Sequence, residues 1–175
     1  MIKHPDQRVG VFVDVQNMYH SAKNLYKAKV NFGKILEIAV SGRKLIRAIA
    51  YVIRSQSKEE EGFFEALDKQ GFEIKLKDLQ IFYGGMKKGD WDVGMAVDAI
   101  TLAPSLDVIV LVTGDGDFVP LVKYLRYHGK QVEIIAFGQT TSSKLRETAD
   151  TFTDLSENKR KFLIKESPIK RKKVR

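Results

Sequence analysis

The sequence predicts an α/β fold, an open and mainly parallel sheet with helices packed on both faces. Two observations predict it. Apolar, β-branched runs alternate with helical stretches along residues 8–155. Those runs are apolar throughout instead of alternating with polar residues, as expected of strands covered on both sides.

RVGVFVDV (8–15) forms the first strand, with Asp14 at its end. QNMYHSAKNLY (16–26) and NFGKILEIAV (31–40) read as helical stretches, and KLIRAIAYVIR (44–54) as the second strand. KEEEGFFEALDKQG (58–71) is a helix with acidic residues in its first turn and Gly71 as its terminator. FEIKLKDLQI (72–81) contains the third strand, and the loop FYGGMKKGD leads to a helix over 91–103 stopped by Pro104. Residues 107–113 make the fourth strand, 117–128 a helix closed by Gly129, and QVEIIAF (131–137) the fifth strand. SSKLRETAD (142–150) is a last short helix, and TFTDL (151–155) suits an added edge strand.

Composition narrows the function classes. With 43% hydrophobic and 30% charged residues, 175 residues suit one globular domain with a full core. The absence of cysteine excludes disulfides, thiolate metal sites and cysteine nucleophiles. No run approaches membrane-spanning length and the first residues lack a signal-peptide core, so a cytoplasmic protein without a membrane partner is expected. The net charge of +8 is localised. Nine basic residues from Lys159 to Arg175 face only Glu166, while residues 1–158 balance 21 basic against 21 acidic side chains. The expected organisation is a neutral domain over 1–158 and a basic tail over 159–175. Such a tail suits a phosphate backbone, and equally a solubilising end.

In open α/β sheets ligands bind at the carboxyl ends of strands, where the strand order reverses. With the order 3-2-1-4-5, strands one and four adjoin across that switch. Asp14 ends strand one, and Asp115 and Asp117 flank Gly116 just after strand four. Asp92 opens a helix, where the macrodipole favours an anion. Asp98 lies six residues on, about 600° of rotation, so it does not share a ridge with Asp92. Each aspartate alone suits a helix cap, and their common place at one sheet end favours a ligand role. Converging carboxylates with no nearby base call for a hard divalent cation, with Gly114 and Gly116 letting the backbone bend beneath it. His4, His20 and His128 show no metal spacing, and no phosphate-binding glycine loop or nucleophile elbow appears.

VFVDVQNMY, DWDVGMAVDAI and VLVTGDGDFVPLVKYLRYHGKQVEIIAF together resemble the NYN domain in its LabA-like branch, within the PIN-like nuclease superfamily. The resemblance covers roughly residues 8 to 155. It implies a Rossmann-like three-layer αβα sandwich, a pocket binding Mg²⁺ or Mn²⁺, and hydrolysis of RNA phosphodiesters. Asp14, Asp92, Asp115 and Asp117 match the family's metal-holding acids, and Asn17 the asparagine that orders the pocket. Thr113 stands where serine is common, and Asp98 matches a recurring position of less clear role. GDW precedes Asp92 in place of the usual KGV, which leaves Trp91 to stack on a base or to pack the helix start on the core. The resemblance implies single-stranded RNA as partner and leaves a homodimer open. The expected activity is a metal-dependent ribonuclease. The alternatives are a non-catalytic RNA-binding or regulatory module, and a phosphoaspartyl phosphatase using Lys87 or Lys88.

Overall fold

The computed structural model describes residues 3–55, 57–85 and 87–165. The first strand, β1 (Arg8–Asp14), runs into α1 (Val15–Tyr26), because the Asp14 side chain accepts the Asn17 N–H and caps the helix. A short strand, β2 (Ala28–Val30), precedes α2 (Phe32–Val40), which Asn31 caps in the same way. β3 (Lys44–Arg54) leads to α3 (Glu60–Lys69) and, past Gly71 at φ +99°, to β4 (Glu73–Asp78). The expected third strand breaks at Leu79. Beyond it Gln80–Ile81 (β5) leaves the sheet and pairs antiparallel with Lys87–Lys88 (β6). α4 (Asp92–Leu102), β7 (Val108–Val112), α5 (Val119–Tyr127), β8 (Gln131–Ala136), α6 (Ser143–Thr148) and β9 (Thr151–Asp154) follow.

The main sheet has the order β4-β3-β1-β7-β8-β9, with every pair parallel. This preserves the anticipated 3-2-1-4-5 core and differs in detail, since β9 adds a sixth strand at one edge. The strands are apolar throughout because alternate residues feed two cores. Val9, Val11 and Val13 enter one with Met18, Ile35 and Leu67 from α1, α2 and α3. Phe12, Ile109 and Leu111 enter the other with Met95, Val122 and Leu145 from α4, α5 and α6. The three layers follow directly.

The chain packs on past Asn158. α7 (Lys159–Phe162) buries Phe162 in the first core, and β10 (Leu163–Lys165) pairs antiparallel with β2. That pairing joins segments of opposite chain ends, which local periodicity does not signal. Lys170, Arg171, Lys172, Lys173 and Arg175, the bulk of the basic cluster, lie outside the described residues. No described helix is long and apolar enough to cross a membrane.

One ion pair is fully enclosed. Arg43 directs Nη1 and Nη2 at the two carboxylate oxygens of Glu133 on β8, each at 2.9 Å. Its remaining donors reach the carbonyls of Val40 and Ala39 at 3.0 and 2.8 Å. Both side chains are nearly inaccessible.

Candidate metal centre

Three segments deliver acids to the carboxyl end of the sheet: the end of β1, the start of α4 and the turn after β7. Asp92, Asp115 and Asp117 each offer an oxygen within 4.8 Å of the others. None of the three has an ion-pair partner among the described residues. Asp14 stands behind this trio. Its Oδ1 accepts the Asn17 N–H at 3.1 Å and its Oδ2 accepts the Thr113 hydroxyl at 3.2 Å. Thr113, fully buried, also accepts the Asp115 N–H through Oγ1 at 3.2 Å. A hydroxyl therefore couples Asp14 to the turn that carries Asp115. Asn17 Oδ1 accepts the Gly114 N–H at 3.0 Å, so α1 holds the same turn from the other side.

Capping and clustering coexist. Asp115 Oδ1 accepts the Asp117 N–H at 2.9 Å and caps the 3-10 turn Gly116–Phe118. Asp14 caps α1. The preference of aspartate for caps thus fixes backbone and side chain where the sheet end needs carboxylates.

Crowding shows in the titration. Asp92 is pushed up to about 6, by burial first and then by the charges of Asp115, Asp14, Asp90 and Asp117. Burial likewise raises Asp14, with Asp115 and Asp90 adding to it and the Asn17 and Thr113 hydrogen bonds opposing it. The donors are all carboxylate oxygens, a hard set suited to Mg²⁺ or Mn²⁺. Burial and the neighbouring anions strengthen proton binding at Asp92, and a bound cation would weaken it.

Gly114 and Gly116 serve a different purpose from the anticipated bend, since neither adopts a positive φ. A Cβ on Gly114 would lie 3.0 Å from the Thr140 carbonyl oxygen, and one on Gly116 2.9 Å from Ser142 Oγ. The glycines admit the close approach of loop 138–142, which also donates the Ser142 N–H to the Gly114 carbonyl at 2.9 Å. Asp154, at the end of β9, anchors that loop by accepting the Gly138 N–H at 2.9 Å. This wall went unread in the sequence. Its signal was the hydroxyl-rich run GQTTSS at the carboxyl end of β8, the same place on the sheet as the aspartates.

Asp98 is not part of the trio. Its Oδ2 accepts the Tyr51 hydroxyl at 2.7 Å and pairs with Lys75 Nζ at 2.6 Å, which ties α4 to β3 and β4. Burial opposes its ionisation, but Lys75 and Tyr51 hold it below the usual carboxylate range. Trp91 packs the start of α4 onto the sheet. Its indole N–H reaches the Val52 carbonyl at 3.0 Å, and a Cβ on Gly94 would lie 2.6 Å from its ring. Lys77 Nζ covers the ring at 4.6 Å from the centroid, so the packing role holds for Trp91. The side chains of Lys87 and Lys88, needed for the phosphoaspartyl alternative, lie outside those described.

The carboxylates of this α/β sandwich gather where open parallel sheets bind ligands, at the carboxyl ends of the strands beside the switch point. A family model described as NYN domain matches residues 8–156, and the chain belongs to that family. It is 28% identical to an uncharacterized protein of Methanocaldococcus jannaschii over 170 residues. That alignment covers 96% of this chain but 62% of the archaeal protein, so the chain spans under two thirds of that relative. It is 25% identical to the low amplitude and bright protein LabA of Synechococcus elongatus, over 86% of this chain and 84% of LabA. A crystal structure of a protein of unknown function from Vibrio parahaemolyticus superimposes with a TM-score of 0.84 at 33% identity. That superposition covers 94% of this chain and all of the Vibrio chain.

Proposed function

We propose that the chain is a metal-dependent ribonuclease acting on single-stranded RNA, with Mg²⁺ or Mn²⁺ held by Asp92, Asp115 and Asp117 and assisted by Asp14. The observation that carries the reading is the trio of carboxylates within 4.8 Å, without an ion-pair partner among the described residues, drawn from two distant segments at the switch point of the sheet. Membership of a nuclease superfamily supports it. A cation bound there supplies charge neutralisation at the scissile phosphate and lowers the pKa of water to make a nucleophile.

The chain's own residues supply order. Asn17 and Thr113 fix the turn after β7 through the Gly114 and Asp115 N–H groups, so the acids meet the ligand already oriented. Asp14, hydrogen-bonded on both oxygens and raised by burial, is the reserve acceptor next to the trio. Water, and not the 2′-hydroxyl, is the attacking group, so cleavage yields a 5′-phosphate and a 3′-hydroxyl. Incubation of labelled single-stranded RNA with the protein and Mn²⁺, beside Asp115→Asn, tests this. The expected result is cleavage lost in the variant and on chelation. A 2′,3′-cyclic phosphate as the main product, or equal activity in both proteins, overturns the reading.

A further inference from the structure

The acidic trio repels the backbone it is proposed to cut, and residues 1–158 carry no net charge to offset it. A substrate strand therefore needs a local cationic hold beside the carboxylates. The structure offers a place for it beside the acidic turn. A shallow groove of about 430 Å³ is lined by Gly116, Val119, Pro120, Lys123, Ser142 and Lys144. Gly116 is the residue between Asp115 and Asp117, so the groove shares its floor with the acidic turn. Lys123 projects from α5 and Lys144 from the first turn of α6. Both are exposed, and neither has an ion-pair partner among the described residues.

Exposed lysines without an ion pair are common among the described residues, Lys58 and Lys69 included; what sets Lys123 and Lys144 apart is that both line one groove with Gly116. Two unpaired lysines opening on the edge of a carboxylate cluster form a dipolar site, positive on the α5–α6 side and negative at the turn. The close seat of Ser142 on Gly116 fixes the wall between the two halves.

We infer that this groove is the phosphate-binding subsite for the RNA strand, in which Lys123 and Lys144 hold the backbone phosphates next to the one placed at Asp115 and Asp117. The inference rests on the ribonuclease reading for its substrate class. The lysines contact substrate without joining the chemistry, and they set the side of the acidic turn along which the strand leaves. Their contribution is electrostatic. Each phosphate contact on a single strand contributes about 0.7 to the slope of log affinity against log salt.

The test uses the full chain with Lys123→Ala/Lys144→Ala, and Lys58→Ala/Lys69→Ala as an equally exposed control pair on the α3 side. Binding of labelled oligouridylate is measured by anisotropy with Ca²⁺ in place of Mn²⁺, across a salt series, with single-stranded DNA of matching sequence as a second arm. The expected result for the groove variant is a salt slope flatter by about 1.4 and an affinity lower by about tenfold near physiological salt. The control pair should match the wild type. In cleavage assays KM should rise with the loss of affinity while kcat changes much less. An unchanged slope and KM in the groove variant overturn the subsite while leaving the ribonuclease reading intact. If the wild type binds RNA through these lysines but does not cleave it, the ribonuclease reading fails and the phosphate subsite stands. Equal losses with RNA and DNA place recognition at the phosphodiester, and a loss confined to DNA overturns the inference.

Discussion

The molecule gathers charge on its sheet in two places and treats them in opposite ways. At Arg43 and Glu133 the chain closes the set itself: two carboxylate oxygens and two backbone carbonyls satisfy the guanidinium, and almost no solvent reaches either group. At the carboxyl end, Asp92, Asp115 and Asp117 crowd together with no basic partner among the described residues, and Asp92 is pushed to about 6. One arrangement is complete within the fold. The other has no balancing cation among the described residues, which is what the proposed metal site requires of it.

The largest expected effect comes from breaking the closed set. Arg43→Met leaves Glu133 buried and unpaired, and the cost of stranding such a charge is about 3–5 kcal/mol. Urea unfolding should show that loss, and Arg43→Met/Glu133→Leu should recover most of it, because no charge is then stranded. A loss under about 1 kcal/mol for the single variant would place the pair among ordinary surface bridges.

The open set should respond with the opposite sign. Asp115→Asn keeps the oxygen that caps the turn at Asp117, since asparagine caps as well as aspartate. It removes one of three like charges, so metal-free stability should stay level or rise by up to about 1 kcal/mol. Mn²⁺ affinity, read by calorimetry, should fall more than about tenfold. Saturating Mn²⁺ at about 100 times its dissociation constant should stabilise the wild type by about 2.7 kcal/mol and the variant far less. Destabilisation of the metal-free variant would mean that the trio is structural.

Asp92 adds a pH signature of smaller size. Its folded pKa lies above its ordinary value, so its contribution to stability is fully present below about 3.8 and is lost as pH rises through about 6. Solvent screening of this half-exposed group keeps the effect under about 1 kcal/mol. Metal binding must displace the same proton, so Mn²⁺ affinity should climb between pH 5 and 7 with proton release, and Asp92→Asn should flatten the climb. An affinity independent of pH across that window would remove Asp92 from the site.

The difference between the two sets also marks how far the sequence could be read. The acids of the open site were legible because each sits next to a strong local signal: the end of an apolar run for Asp14, a helix start for Asp92, a glycine-flanked turn for Asp115 and Asp117. Arg43 and Glu133 were not, because 90 residues separate them and a strand-embedded Glu looks like any other polar position. The ladder between β2 and β10 was hidden for the same reason, with Val30 and Leu163 meeting across most of the chain. Gly114 and Gly116 are conspicuous in the sequence, but their role in admitting loop 138–142 is not. Glycine signals either a turn or a close approach, and only the position of loop 138–142 distinguishes them. Asp98 matched a family position, yet its partners Tyr51 and Lys75 lie on other strands and settle it as a tether for α4.

The smallest effect on the fold is expected from the third gathering of charge, the basic cluster near the C-terminus. Phe162 sits in the core and Leu163–Lys165 pairs with β2, so a cut that spares the fold falls after Lys165, not after Asn158. That cut removes Lys170, Arg171, Lys172, Lys173 and Arg175 against Glu166 alone. Stability should change by less than about 0.5 kcal/mol, as for surface changes generally. RNA affinity should fall, and the salt slope should flatten by about 0.7 for each phosphate that is no longer neutralised. Cleavage at saturating RNA should stay nearly intact if the cluster adds hold and not chemistry. Combined with the Lys123→Ala/Lys144→Ala variant, the two slope changes should add, since the sites hold different phosphates. Unchanged affinity and slope after truncation would leave the groove between α5 and α6 as the cationic hold to test, and would make the basic end a solubilising one.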